Sequence, residues 1–208
     1  MKFPLVLCLS ILFFSCTEEN EKPKSNAKPL PNDTNSIRPA AINPYNPVDI
    51  SPMDISYFPV DFPVLKMTKG QPEAPVARVI YSRPHRQGRK IFGGLLKYGE
   101  HWRLGANEAT EIELFQPLRV QDKTVAKGRY ILYCVPTQTN WTIIFNTNTY
   151  TWGLRQEPKK DAYSFTVPIQ KTAAPVENFT MVFKGVGSQG NLVIAWDDTE
   201  ARLPFSTL

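Results

Sequence analysis

The sequence predicts an all-β domain, a single antiparallel β-sandwich of jelly-roll type with one long ordered Gly/Arg-rich loop, carried on a disordered N-terminal tether. Three observations lead there. Short runs rich in Val, Ile, Thr, Tyr, Phe and Trp recur from residue 77 onward with turn residues between them. No intervening stretch carries a 3.6-residue apolar period that would make a helix longer than about ten residues. Nine of the nineteen prolines crowd between Pro23 and Pro63, which sets the N-terminal part of the chain apart. The composition is otherwise that of an ordinary globular protein: 208 residues, 42% hydrophobic and 21% charged, with a net charge of +5. It excludes collagen, a coiled coil, a disulfide scaffold and a multi-span membrane protein.

In chain order, Met1-Lys2 gives a positive start, Phe3 to Phe14 is an apolar run of twelve, and Ser15-Cys16 follows. Twelve helical residues span about 18 Å, short of the roughly 30 Å of a bilayer core, so residues 1–15 read as a secretion signal rather than a membrane anchor. Leu12-Phe13-Phe14-Ser15-Cys16 resembles a bacterial lipoprotein box, with Phe13 where such boxes usually carry Leu. The resemblance implies cleavage before Cys16 and lipidation of its sulfur, which would anchor the chain stably through more than one acyl chain. Residues 16–48 are rich in Pro, Asn, Ser and Lys and hold too little apolar surface to offset ordering entropy, so they read as a tether. Its first residues, Thr17-Glu18-Glu19-Asn20-Glu21, form an acidic cluster that resembles a surface-export signal of some gram-negative lineages. The expected location is the cell envelope, lipid-anchored to the outer membrane, with the periplasmic and surface faces both open.

Cys8 leaves with the signal and Cys16 takes lipid, so Cys134 stands alone and no intrachain disulfide is available. It lies in the apolar run Tyr130 to Val135 and reads as a buried structural thiol. The positive charge is too mild to argue for nucleic acid and no recognition motif supports it, so no nucleic-acid partner is expected.

Residues 49–208 form the expected domain. Its strands are read at Ala77 to Ser82, Thr110 to Phe115, Arg129 to Val135, Trp141 to Thr147, Tyr163 to Ile169, Asn178 to Lys184 and Leu192 to Asp197. Alternation places Phe179, Met181 and Phe183 inward on one run and Leu192, Ile194 and Trp196 on another. Turns are expected at Gln121 to Lys123, Thr137 to Asn140 and Gly185 to Asn191. Glu111 and Glu113 alternate with Ile112 and Leu114 and belong to a solvated face.

Between the first two strands, Tyr81 to Thr110 is a 30-residue segment with five glycines and both histidines. Loops of this length in compact domains are functional or disordered. Its aromatics Phe92, Tyr98 and Trp102 read as buried, which makes it ordered. Tyr-Ser-Arg-Pro and Gly-Arg-Lys-Ile-Phe-Gly-Gly-Leu within residues 81–95, Tyr98-Gly99 and Trp-Arg-Leu-Gly-Ala-Asn-Glu-Ala-Thr at 102–110 closely resemble the DUF2911 domain of unknown function. The resemblance continues through Gly128-Arg129-Tyr130, Val135-Pro136, residues 141–146 and Trp152-Gly153, and covers about residues 50–206. It implies an exported all-β bacterial domain, often a lipoprotein, and carries no established reaction.

Within this segment Arg83, Arg89 and Arg103 supply forked donors suited to carboxylate, phosphate or sulfate. Asn107 and Glu108 add an amide and an acid, and Trp152 is a candidate to cover a pocket, whereas Trp141 and Trp196 alternate with core positions. The leading expectation is a membrane-tethered extracytoplasmic module that binds a polar or anionic ligand, a glycan or an envelope partner. One alternative is a hydrolase-like enzyme with Glu108 as general acid or base. Another is a structural module whose arginines fasten the loop to the sandwich. His85 and His101 form a weaker metal-binding pair at an unfamiliar spacing, outside the segments that carry the resemblance, and no cofactor is expected.

Overall fold

The computed structural model describes residues 50–68 and 74–208. The expected signal peptide (1–15), lipidated Cys16 and tether (16–48) lie outside the described residues. Nine strands follow in order: β1 (Met53–Phe58), β2 (Ala77–Ser82), β3 (Thr110–Leu114), β4 (Leu118–Val120), β5 (Lys123–Val125), β6 (Gly128–Pro136), β7 (Asn140–Asn146), β8 (Asp161–Val186) and β9 (Gln189–Thr207). A four-residue helix, Phe62–Leu65, follows β1, and a 3-10 turn, Pro158–Lys160, precedes β8. No helix among the described residues is long and apolar enough to cross a membrane.

Every pairing is antiparallel, and the strands form one open sheet of order β1-β2-β3-β6-β7-β8-β9-β4-β5. The sandwich is this one sheet folded over. β8 makes the fold possible because it serves both halves. Residues Asp161 to Pro168 pair with β7, whereas Ile169 to Val186 pair with β9. Within the second stretch the register slips twice, at Lys171/Val176 and Val176/Thr180, opposite Asp197 with φ of 52°. Extra residues on one strand bend a sheet and increase its twist. The inward face of β9 changes phase at the same place, from Leu192, Ile194 and Trp196 to Thr199, Ala201, Leu203 and Phe205, all of them buried. A shift of one residue exchanges the two faces of a strand, so the phase change marks the corner.

The two halves then pack face to face. Ile112 and Leu114 of β3 line one small internal cavity with Leu118 and Val120 of β4 and Leu203 and Phe205 of β9. Phe205 also meets the ring of Phe58 from edge strand β1 at 4.9 Å and that of Phe183 at 5.7 Å. Cys134 is fully buried, as expected, and burial pushes its thiol well above the ordinary range. Glu111 and Glu113 face the solvent side and pair across strands with Arg129 and Arg78, each at 2.7 Å.

Several expectations need correction. β1, β4 and β5 were not anticipated. The runs at Tyr163 and Asn178 are parts of one strand, and the turn at Gly185 to Asn191 contracts to Gly187-Ser188, with Gly187 at φ of 64°. Phe92 and Trp102 are buried, but Tyr98 is 39% exposed.

Candidate functional site

The long connection between β2 and β3 is ordered because its backbone groups find partners on three sides. Ser82, fully buried at the end of β2, accepts the Ala106 N–H at 2.8 Å and donates to the Ala106 carbonyl. Gly105 lies so close to Ser82 that a Cβ there would sit 2.9 Å from its Oγ and 3.1 Å from its carbonyl oxygen. Leu104 and Asn107 take positive φ of 57° and 56°, and the Thr110 hydroxyl donates to the Leu104 carbonyl at 2.5 Å. These contacts are the physical content of the run from Trp102 to Thr110: a tight turn held to the end of β2.

The first part of the loop is held at the sheet corner. Asp197 accepts the Ile91 N–H at 3.1 Å and pairs with Arg86 Nε at 2.9 Å. Glu177 takes the Arg86 N–H on its carbonyl at 2.7 Å and the Gln87 N–H on its carboxylate at 2.8 Å. Backbone bonds of 2.8 Å in both directions join Trp102 to Cys134 of β6. The Trp102 indole then stacks on Trp196 at 6.0 Å and meets Trp141, Phe92 and Phe179 edge-on at 5.0 to 5.8 Å.

Above this aromatic floor lies a pocket of about 430 Å³, within the size range of small-molecule sites. His85, Arg89, His101 and Arg103 line it with Leu95, Leu96, Trp102, Leu154 and Trp196, and among the described residues no carboxylate does. Gly153 forms part of the far wall. With φ of 83°, and with a Cβ that would lie 3.0 Å from Ala109 Cβ and 3.2 Å from Arg103 Cβ, it brings the 147–160 segment into contact with the loop. That segment is anchored at its ends. Asn146 donates to Asp161 at 2.7 Å and to the Glu157 carbonyl at 3.0 Å, and Tyr133 donates to Asp161 at 2.7 Å.

The structure sorts the candidate residues into three groups. Arg83 is a fastener: it pairs with Asp54 of β1 at 3.0 Å and donates to the Phe179 carbonyl of β8 at 3.3 Å, away from the pocket. Asn107, Glu108 and Trp152 do not line the pocket either. Glu108 is exposed on the turn, and Trp152, 53% exposed, stands beside the Gly153 wall. Arg89 and Arg103 do line it, as do His85 and His101, though among the described residues no group of three metal-ligating side chains forms. Arg89 donates to the carbonyls of Arg86 and His85. The Arg103 guanidinium has no ion-pair or hydrogen-bond partner among the described residues, its Nη1 is buried, and burial pulls its pKa below the ordinary arginine value.

Arg86, Glu177 and Asp197, which place the loop, were not singled out from sequence. The available signal was Asp197-Asp198 directly after the apolar run Leu192 to Trp196.

A family model described as "Protein of unknown function (DUF2911)" matches residues 66–205. The chain belongs to the DUF2911 family. The match begins after β1, so Asp54, the partner of Arg83, falls outside the part that defines DUF2911, whereas all of the pocket lining except Ile50 and Ser51 falls inside it. Neither the curated proteins nor the solved structures gave a match.

Proposed function

We propose that this DUF2911 protein is an extracytoplasmic binding module, held to the outer membrane by a lipidated Cys16, whose pocket takes a small anionic ligand. One observation carries the reading: Arg103 lines a pocket without carboxylates and has no partner for its guanidinium among the described residues. A charged group taken partly out of water costs free energy unless an opposite charge or hydrogen-bond acceptors compensate it. Arg83 and Arg86 obtain that compensation from Asp54 and Asp197. An anion between Arg103 and Arg89 would supply it to Arg103, with the planar fork of the guanidinium matching carboxylate or phosphate oxygens. The fastening role expected as an alternative fits Arg83 and Arg86. The enzymatic alternative lacks support, because Glu108, its intended acid, is outside the pocket.

Titration with inorganic phosphate, followed by tryptophan fluorescence, tests the reading in wild type and Arg103→Met. Binding is expected in wild type with Kd of about 1 mM or below, and is expected to vanish in the variant while folding stability holds or rises. Loss of about 3–5 kcal/mol of stability in Arg103→Met would instead make Arg103 part of a buried pair and overturn the proposal.

A further inference from the structure

We infer that the ligand is amphiphilic: an anionic head held by Arg89 and Arg103, carrying an apolar body that extends through the pocket mouth. This rests on the anion-binding reading and adds the other half of the molecule.

The lining is divided in chemistry. Besides the two cations, it includes Ile50, Leu95 and Leu154, which are 75%, 49% and 71% exposed. Single apolar side chains on a protein surface need no explanation, but three converging on the mouth of one pocket form a patch that a ligand or partner would cover. Deeper in, Trp102 and Trp196 are 4% and 2% exposed and border the same space as a stacked pair, which offers an apolar floor. The buried Nε1 of Trp102 has no hydrogen-bond partner among the described residues. A purely inorganic anion would use the arginines and leave the mouth uncovered. A neutral apolar molecule would leave Arg103 unpaired.

Two sources supply this chemistry, a free amphiphilic carboxylate or phosphate and a lipid in a bilayer surface. Trp152 and Tyr150, 53% and 98% exposed beside Leu154 in sequence, are residue types enriched at membrane–water interfaces, so the second source is tested directly.

The experiment uses the full chain with Cys16→Ser, so that no acyl group of its own competes. Tryptophan fluorescence and calorimetry compare octyl phosphate below its micelle concentration, inorganic phosphate and octyl glucoside. Octyl phosphate is expected to bind at least about tenfold tighter than inorganic phosphate, the gain from burying only two methylenes, and tighter than octyl glucoside by a similar factor. Leu154→Ser, at an exposed position, is expected to narrow the octyl-to-inorganic ratio by about threefold. Equal affinity for octyl and inorganic phosphate would overturn the amphiphile and leave the anion-binding reading standing. Equal affinity for octyl phosphate and octyl glucoside, or binding of none of the three, would overturn both. Co-sedimentation with phosphatidylcholine vesicles containing phosphatidylglycerol, competed by octyl phosphate, would support a lipid source. Octyl phosphate binding without co-sedimentation would support a soluble one.

Discussion

Asp197 holds the long β2–β3 connection to the corner of the sheet, and replacing it with alanine should be among the most damaging single changes in the domain. Three costs arise together. The Ile91 N–H, on a fully buried residue, loses its acceptor, worth about 1–3 kcal/mol. Arg86 loses its carboxylate, which at the observed partial exposure of the pair is worth about 1 kcal/mol, since Arg86 retains the Arg89 carbonyl. Alanine at φ of 52° adds about 1–2 kcal/mol of backbone strain. The sum is about 3–6 kcal/mol. Asparagine tolerates the left-handed conformation and keeps an oxygen for Ile91, so Asp197→Asn should cost only about 1–2 kcal/mol. Urea denaturation monitored by the core tryptophans measures both variants. A double-mutant cycle with Arg86→Gln should return a coupling of about 1 kcal/mol. Asp197→Ala within about 1 kcal/mol of wild type, or Asp197→Asn as damaging as alanine, would refute the assignment of Asp197 as the anchor.

Gly153→Ala combines positive φ with contacts to Ala109 and Arg103 and should cost about 2–4 kcal/mol by denaturation, with weaker anion binding as the 147–160 segment is displaced. Burial raises the pKa of Tyr133, helped by its hydrogen bond to Asp161, and burial also raises Tyr81 and Tyr130. Neutral phenols therefore favour the folded state in full below the ordinary tyrosine pKa of about 10, and that stability is lost as pH rises through the higher folded values. Tyr133→Phe should cost about 1 kcal/mol at neutral pH and make the alkaline decline shallower in pH-dependent urea melts. The Lys171 hydrogen bond, with a second from Thr199, lowers the Asp198 pKa, so its contribution is present above about pH 4 and lost as pH falls through the folded value. At 52% side-chain exposure that contribution is small, and Asp198→Asn should change neutral stability by less than about 0.5 kcal/mol while flattening the acid limb of the same melts.

The all-β class was readable because the buried strands announce themselves. Phe179, Met181 and Phe183, or Leu192, Ile194 and Trp196, alternate over enough residues to fix a face. β4 and β5 have three residues each, too few for any period to show, so only the turn between them was visible. β1 sits between Pro52 and Pro59, inside the proline-rich stretch that marks the tether, and its proline neighbours hid an edge strand. In β8, Pro175 lies where the pairing with β9 is broken, so one bent strand looked like two with a loop between. The site was legible as a set of arginines but not as a pocket. Which arginine finds an acid depends on strands far away in sequence: Asp54 and Asp197 claim Arg83 and Arg86, and Arg103 is left to the pocket. The sequence marked Gly105 and Gly153 only as members of a recognisable motif. Their reason, backbone approaching Ser82, Ala109 and Arg103, exists only in the folded sheet.

The pairing of β4 with the far end of β9 has a consequence for the order of assembly. Among the described residues, Leu118 to Val120 find their strand partners besides β5 in Phe205 to Thr207, much later in the sequence. A hairpin of two three-residue strands cannot persist alone in water. During synthesis β4 and β5 must therefore wait, with Leu118, Val120 and Val125 uncovered, while β2, β3, β6 and β7, which pair in that order, can already associate. Closing so large a loop is the slow kind of step. A chain cut before Phe205 would leave Leu118, Val120 and Val125 without the strand that covers them, open to proteases or chaperones.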